Sequence, residues 1–244
     1  MTTKEFSNQF DTLVDSYRRF KDFDRQQILD SIEFDEYEKS VYLTMAQDEL
    51  VVNFYNGKNI YGEAFEDTEE MRRYLDVLVK TSKPNEVIAD ESGSGSDDGY
   101  VGVSSNSVFY ELPSDILFIV YEQAKLSDSG VGCYNGSLIN VQPALHDEYN
   151  RIRKNPFRGP TRYRILRLDA GQSVVELVSK YSFTDYMIRY IAKPSPIILE
   201  DIAPLSIRDE HKEQDCHLNS ILHDIILKRA VQMALASKGI SVNS

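Results

Sequence analysis

Apolar residues recur at spacings of three and four along the first part of the chain. The pattern then changes to short runs of β-branched and aromatic residues, and ends in one more helical period. Phe6, Phe10, Leu13, Val14, Tyr17 and Phe20 form one face of an amphipathic helix. A second helix is predicted over 36–56, with Tyr37, Val41, Leu43, Met45, Leu50, Val51 and Phe54 as its apolar positions. Asp35 is its cap, and Gly57 lies just past its end. A third is predicted over 68–79, with Asp67 or Thr68 as cap, Glu69 and Glu70 in the first turn, and Met71, Leu75, Leu78 and Val79 as the buried stripe. Residues 1–80 thus read as a helical region, and Ser82-Lys-Pro84 as its stop.

Residues 81–106 contain Glu91-Ser-Gly-Ser-Gly-Ser-Asp-Asp-Gly99, which has no apolar residue and reads as a flexible acidic loop. From 107 to 199 the pattern is that of strands. Residues 108–112, 116–121, 137–141, 163–168, 174–179 and 186–192 are candidates, with a short helix near 143–153. Asp169-Ala-Gly-Gln172 reads as a hairpin turn, so the last three strands are expected to form an antiparallel meander, ended by Lys193-Pro-Ser-Pro196. A linker follows over 200–216. A helix over 217–239 carries Leu218, Ile221, Leu222, Ile225, Ile226, Ala230, Val231, Ala234 and Leu235, a stripe wide enough to need burial against the fold, another subunit, or both. The fold class is therefore α+β: an N-terminal helical bundle, a central antiparallel β-sheet and a long C-terminal helix, with the helical and β parts forming one compact unit.

Composition narrows the function classes. The 244 residues include 27 Lys and Arg against 39 Asp and Glu, a net charge of −12, which argues against a protein that grips nucleic acid through its phosphates. Two cysteines, Cys133 and Cys216, make no disulfide framework and suit a reducing compartment. The N-terminus lacks an apolar run after a basic start, so no signal peptide is expected, and no apolar stretch approaches membrane-spanning length.

Candidate chemistry is sparse. His211, Cys216, His217 and His223 cluster near the last helix, but their spacing matches no zinc pattern and adjacent Cys216 and His217 point apart. Cys133 lies among glycines that read as a turn. Gly130-x-Gly132 and Gly93-x-Gly95 lack the strand–loop–helix context of a phosphate loop. Asp97-Asp98, Glu69-Glu70 and Asp209-Glu210 read as solvated loop and cap charges. No catalytic residue, metal or cofactor is expected.

One segment runs against the chain's charge. Arg151, Arg153, Lys154, Arg158, Arg162, Arg164 and Arg167 fall close together with Tyr149, Phe157 and Tyr163 among them. Such a local reversal serves contact with an acidic neighbour, or with the chain's own carboxylates; the alternative is a nucleic-acid face. A cytoplasmic enzyme with a site assembled from scattered residues is a further alternative.

A family resemblance enters at these residues. Asn155-Pro-Phe-Arg-Gly-Pro160 with the strand that follows, the passage 186–199, and the passage 216–231 leading to Leu235-Ala-Ser-Lys-Gly239 together resemble virion structural proteins of crAss-like and related tailed phages of Bacteroidota. More broadly they resemble ring proteins of the neck, or head-to-tail connector, beneath the portal; the helix Tyr42-Leu-Thr-Met-Ala-Gln-Asp-Glu-Leu-Val51 also fits. The resemblance implies a homo-oligomeric ring, twelve-fold like the portal, which joins capsid to tail around the DNA channel. Its partners would be further copies of itself, the portal protein and adjacent neck or tail rings. Genomic DNA would pass without specific binding, and no membrane would be involved. The terminal helix would dock on portal or on a neighbouring subunit. The contact residues expected are Arg151, Arg153, Arg158, Arg162 and Arg164 on the basic stretch, and Leu218, Ile221, Leu222, Ile225, Lys228 and Arg229 on the last helix.

Overall fold

Asp35 opens the second helix by accepting the Glu38 amide at 2.6 Å, in a computed structural model that describes residues 1–19, 33–59, 61–87, 100, 102–104, 106–171 and 173–239. The helices are α1 (Thr3–Arg19), α2 (Glu36–Tyr55), α3 (Glu69–Leu75), α4 (His146–Arg153) and α5 (Ser220–Ser237). The strands are β1 (Val79–Ser82), β2 (Asn85–Val87), β3 (Ser107–Glu111), β4 (Ile116–Leu126), β5 (Leu138–Pro143), β6 (Arg164–Gly171), β7 (Val174–Val178) and β8 (Phe183–Ala192). The acidic Gly/Ser segment 91–99 lies outside the described residues. The chain forms two compact units: Met1–Leu78 with Lys193–Ser244, and Val79–Ala192.

Among the described residues of the first unit, the N-terminal helices pack chiefly on the C-terminal helix. α1 and α2 each meet α5 more extensively than they meet one another, so the C-terminal helix fills the place a third bundle helix would take. Phe6, Phe10, Leu43, Ala46, Val51, Ile226, Ala230 and Val231 are buried there. The face of α2 one turn around is polar yet equally buried. The Thr44 hydroxyl accepts the Ile197 amide at 3.1 Å and donates to its carbonyl at 3.3 Å. Ser40 Oγ accepts the Leu199 amide at 3.0 Å, and Gln47 Nε2 donates to the Ser195 carbonyl at 2.7 Å. These positions, spaced three and four apart, hold an extended stretch of chain along the helix and satisfy its backbone. Lys39, buried at 3% exposure, donates to Asp11 Oδ2 at 2.7 Å and Glu36 Oε1 at 2.9 Å, which ties α2 to α1. Burial pulls its pKa down, but the two carboxylates outweigh that and hold it above the ordinary lysine value.

The third helix is shorter than the periodicity predicts. It ends at Leu75, a 3-10 turn spans Asp76–Leu78, and Val79 and Lys80 belong to β1, where Val79 pairs with Ile191 of β8. Its cap is Thr68, whose hydroxyl accepts the Met71 amide at 3.3 Å.

In the second unit the eight strands run in the order β1-β8-β4-β5-β6-β7-β3-β2. The two edge strands, β1 and β2, are separated in sequence only by Lys83 and Pro84. Three Cα steps reach about 11 Å at most, so the sheet curls until its edges meet, and β1 and β2 act as one bent strand joining β8 to β3. The sheet is not wholly antiparallel. β5 and β6 are parallel, because the chain between them crosses over through α4. The expected meander also breaks: β7 pairs with β6 and β3, whereas β8 lies between β1 and β4.

The curl separates two faces. Tyr110, Ala124, Leu126, Ile139, Val141, Ile165, Leu177, Tyr186 and Ile188 fill the inside. On β6 the alternation is strict: Leu166 and Leu168 pack outward beneath Tyr149 and Ile152 of α4, while Ile165 packs inside. β7 is covered on both faces, so all five of its residues are buried. The interior also holds a polar group. Arg167 Nη1 donates to Glu122 Oε2 at 3.0 Å, and the Tyr186 hydroxyl donates to Glu122 Oε1.

Candidate subunit interface

The basic segment runs through α4, the loop after it, and β6. α4 ends at Arg153, and the chain turns at Asn155. There the Asn155 side chain accepts the Phe157 amide at 2.8 Å, and its carbonyl accepts the Gly159 amide at 2.7 Å. Gly159 is required by space: a Cβ would stand 2.8 Å from the Asn155 carbonyl oxygen and 3.0 Å from that of Arg153. Arg164 closes the loop from the β6 side by donating Nη1 to the Phe157 carbonyl at 2.6 Å. The result is a fixed turn whose tip, Phe157, is 86% exposed.

The cations around this tip have distinct surroundings. Arg151 is paired with Glu148 one turn back, and Arg153 lies 5.9 Å from the centre of the Tyr149 ring. Arg158 is exposed beside Phe157. Arg162 lies over two rings, 4.1 Å from Tyr134 and 4.8 Å from Tyr163, and those rings meet edge to face. Arg167 is different: it points into the sheet's interior and offers nothing to a partner. The loop therefore presents an exposed aromatic among cations held by local contacts.

On the last helix the structure divides the residues expected at a contact. Leu218 and Leu222 are buried in the unit's own core, at 4% and 1% exposure, so they do not stand at the surface of this chain. The stripe is wide because α5 packs on both α1 and α2. Ile221 faces outward at 59% exposure and Lys228 is also exposed. Arg229 makes a two-pronged bond to Glu49 on α2, with both nitrogens at 2.8 Å. Beside that bridge α2 and α5 leave a surface pocket of about 160 Å³, whose apolar wall is Ala46, Leu50, Phe54 and Ile225.

The sequence reading named neither this pocket nor Phe157 as a contact. The signal for Phe157 was present: a phenylalanine between two prolines, in a stretch with Asn and Gly at turn positions, has no helix or strand to bury it. The pocket had none, because its walls come from segments far apart in the chain.

Elsewhere, His211 and His217 are exposed, Cys216 donates its thiol to Gln47 Oε1 at 3.3 Å, and His223 is bonded to the Leu218 carbonyl. Burial pushes the Cys216 thiol up to about 11. Among the described residues no three His, Cys, Asp or Glu side chains form a metal-holding group, and no helix is long and apolar enough to cross a membrane.

Charge is unequal between the units. Met1–Leu78 with Lys193–Ser244 carries 15 basic and 25 acidic residues, a net of −10. Val79–Ala192 carries 12 and 14, a net of −2, and within it residues 151–167 hold seven cations and no carboxylate.

Comparison with known proteins adds the biological setting. A family described as phage tail ring protein 3/4 matches residues 1–244. The chain is 45% identical to ring protein 3 of Bacteroides phage crAss001 over 240 residues, 98% of this chain and 96% of that protein. It is 30% identical to ring protein 4/5 of the same phage over 249 residues, 97% of this chain and 93% of that protein.

Proposed function

We propose, from the premise that this chain belongs to the phage tail ring protein 3/4 family, that its copies close into a ring in the virion neck between portal and tail. The coarse function is that of the family: a structural ring subunit of a crAss-like phage. The finer reading is a twelve-fold ring that contacts the portal and adjacent neck or tail rings and encloses the channel through which genome leaves the capsid.

The observation that supports it is the presence of unlike surfaces on one chain. A cyclic ring needs heterologous contacts, in which one patch of each subunit meets a different patch of the next. A unit of net charge −10 and a stretch, 151–167, that has no carboxylate and exposes Arg151, Arg153, Lys154, Arg158 and Arg162 are two such patches. Opposite potentials guide such patches together and suppress like-to-like pairing. Surplus negative charge also suits a channel wall, since it repels phosphates and lets DNA pass without sticking.

The test is the mass of the purified full chain, alone and with portal protein, by native mass spectrometry and electron microscopy. Closed rings of one copy number, twelve on this reading, are expected. A protein that stays monomeric alone and never joins portal would overturn it.

A further inference from the structure

We infer that Phe157 of one copy seats in the α2–α5 pocket of the next copy around the ring. This deepens the ring reading above and rests on it.

The knob is built for insertion. Its ring is 86% exposed, and its backbone is held by Asn155 on one side and Arg164 on the other. A backbone held in this way loses little freedom when the ring it carries is buried. Gly159 fixes the same loop by close packing against carbonyl oxygens. Scattered exposed apolar residues are ordinary on protein surfaces; a phenylalanine lifted on a braced loop amid cations is a different arrangement.

The pocket matches in size and lining. It holds about 160 Å³ against walls from Leu50, Phe54 and Ile225. An apolar cavity of about 150 Å³ accepts a benzene molecule, so a phenyl ring fits. The Arg229–Glu49 bridge spans its rim and joins α2 to α5, which keeps its shape fixed.

Charge selects a second copy of this chain as the occupant. The knob is flanked by Arg153, Lys154 and Arg158. Beside the pocket, Asn59 lines the wall and donates to the Glu63 carbonyl at 2.7 Å. Glu63 begins a stretch to Glu70 with five carboxylates and no cation. Of the pocket's own lining, Lys58 and Arg229 are cationic and Arg229 is paired with Glu49; the carboxylates of this stretch outnumber Lys58, so the two patches are unlike, as a closing ring requires.

The test uses the full chain in a Cys133→Ser background, with assembly followed by mass photometry, alone and with portal. Phe157→Ala should raise the concentration needed for assembly about 10- to 100-fold, the effect of exposing one aromatic side chain. It should leave the circular dichroism spectrum and melting temperature unchanged. Phe157→Cys chains mixed with Asn53→Cys chains should give a disulfide-linked pair that neither variant gives alone. Assembly of Phe157→Ala at the parent's concentration, absence of the mixed disulfide, or trapping of Phe157→Cys on portal instead would overturn the proposal and leave the ring reading intact. A parent protein that never assembles, alone or on portal, would overturn the ring reading itself.

Discussion

Arg167 donates to Glu122 at 3.0 Å inside the curled sheet, one residue contributed by β6 and the other by β4. Glu122 is 6% exposed, and its other oxygen accepts the Tyr186 hydroxyl, so both carboxylate oxygens are satisfied. Removing one member of a buried ion pair strands the other, which costs about 3–5 kcal/mol. Arg167→Met is expected to lose that much in urea denaturation. Glu122→Leu and Arg167→Leu combined with Tyr186→Phe should recover most of it, since neither charge of the pair nor an unpaired Tyr186 hydroxyl is then left buried.

The same pair predicts a pH dependence. Burial holds the Glu122 carboxyl above its ordinary 4.5, although Arg167 and Tyr186 pull it down. The folded chain therefore keeps this proton to higher pH than the unfolded chain. Its contribution to stability is complete below about 4.5 and is lost as pH rises through the raised value. Melting temperatures of wild type and Glu122→Gln, compared from pH 4 to 8, should show the wild type's relative stability falling as pH rises. A rise would contradict the burial argument.

Thr44 makes a prediction for the helical unit. Its hydroxyl is bonded to both the amide and the carbonyl of Ile197, and Thr44→Val would leave both unsatisfied in a buried site. The expected loss is about 1–3 kcal/mol. Hydrogen exchange should rise first in the extended stretch near Ile197, ahead of the α2 backbone.

Elements whose partners are local were legible from the chain alone. The capped start of α2, the apolar stripe of α5 and the runs that form β3, β4 and β7 follow from periodicity and turn residues. What escaped depends on distant partners. The polar face of α2 is buried because extended chain 148 to 159 residues away covers it, and nothing near Ser40, Thr44 or Gln47 indicates this. β1 read as the end of a helix because Val79 fits the apolar stripe; its pairing with β8 decides otherwise. Among the candidate contact residues, the cations and the stripe of α5 were visible as types. Which of them stand outward depended on packing: Arg167 turns inward, and Leu222 sinks into the core.

Gly159 offers a test of the knob's support without altering the knob. A methyl group there would collide with two carbonyl oxygens at 3.0 Å or less, so Gly159→Ala must move the loop that carries Phe157. Its far-ultraviolet circular dichroism should stay native, because the loop lies outside every strand and helix. Assembly should weaken as it does in Phe157→Ala. Full assembly by Gly159→Ala would show that the loop's fixed shape is unimportant.

Ile221 and Leu222 are adjacent on α5 and separate the helix's two possible roles. Leu222 is 1% exposed in the unit's core, whereas Ile221 is 59% exposed. Leu222→Ala removes buried methyl groups and should cost about 2–5 kcal/mol of stability. Ile221→Ala removes almost no buried area and should stay within about 0.5 kcal/mol of wild type. If the outward side of α5 meets portal or a neighbouring subunit, Ile221→Ala weakens assembly at unchanged stability. If α5 serves only its own fold, Ile221→Ala assembles like wild type, and contact is left to the Arg-rich loop and the pocket. Urea titration and mass photometry on the two variants distinguish these outcomes, because each variant disturbs one side of the same helical turn.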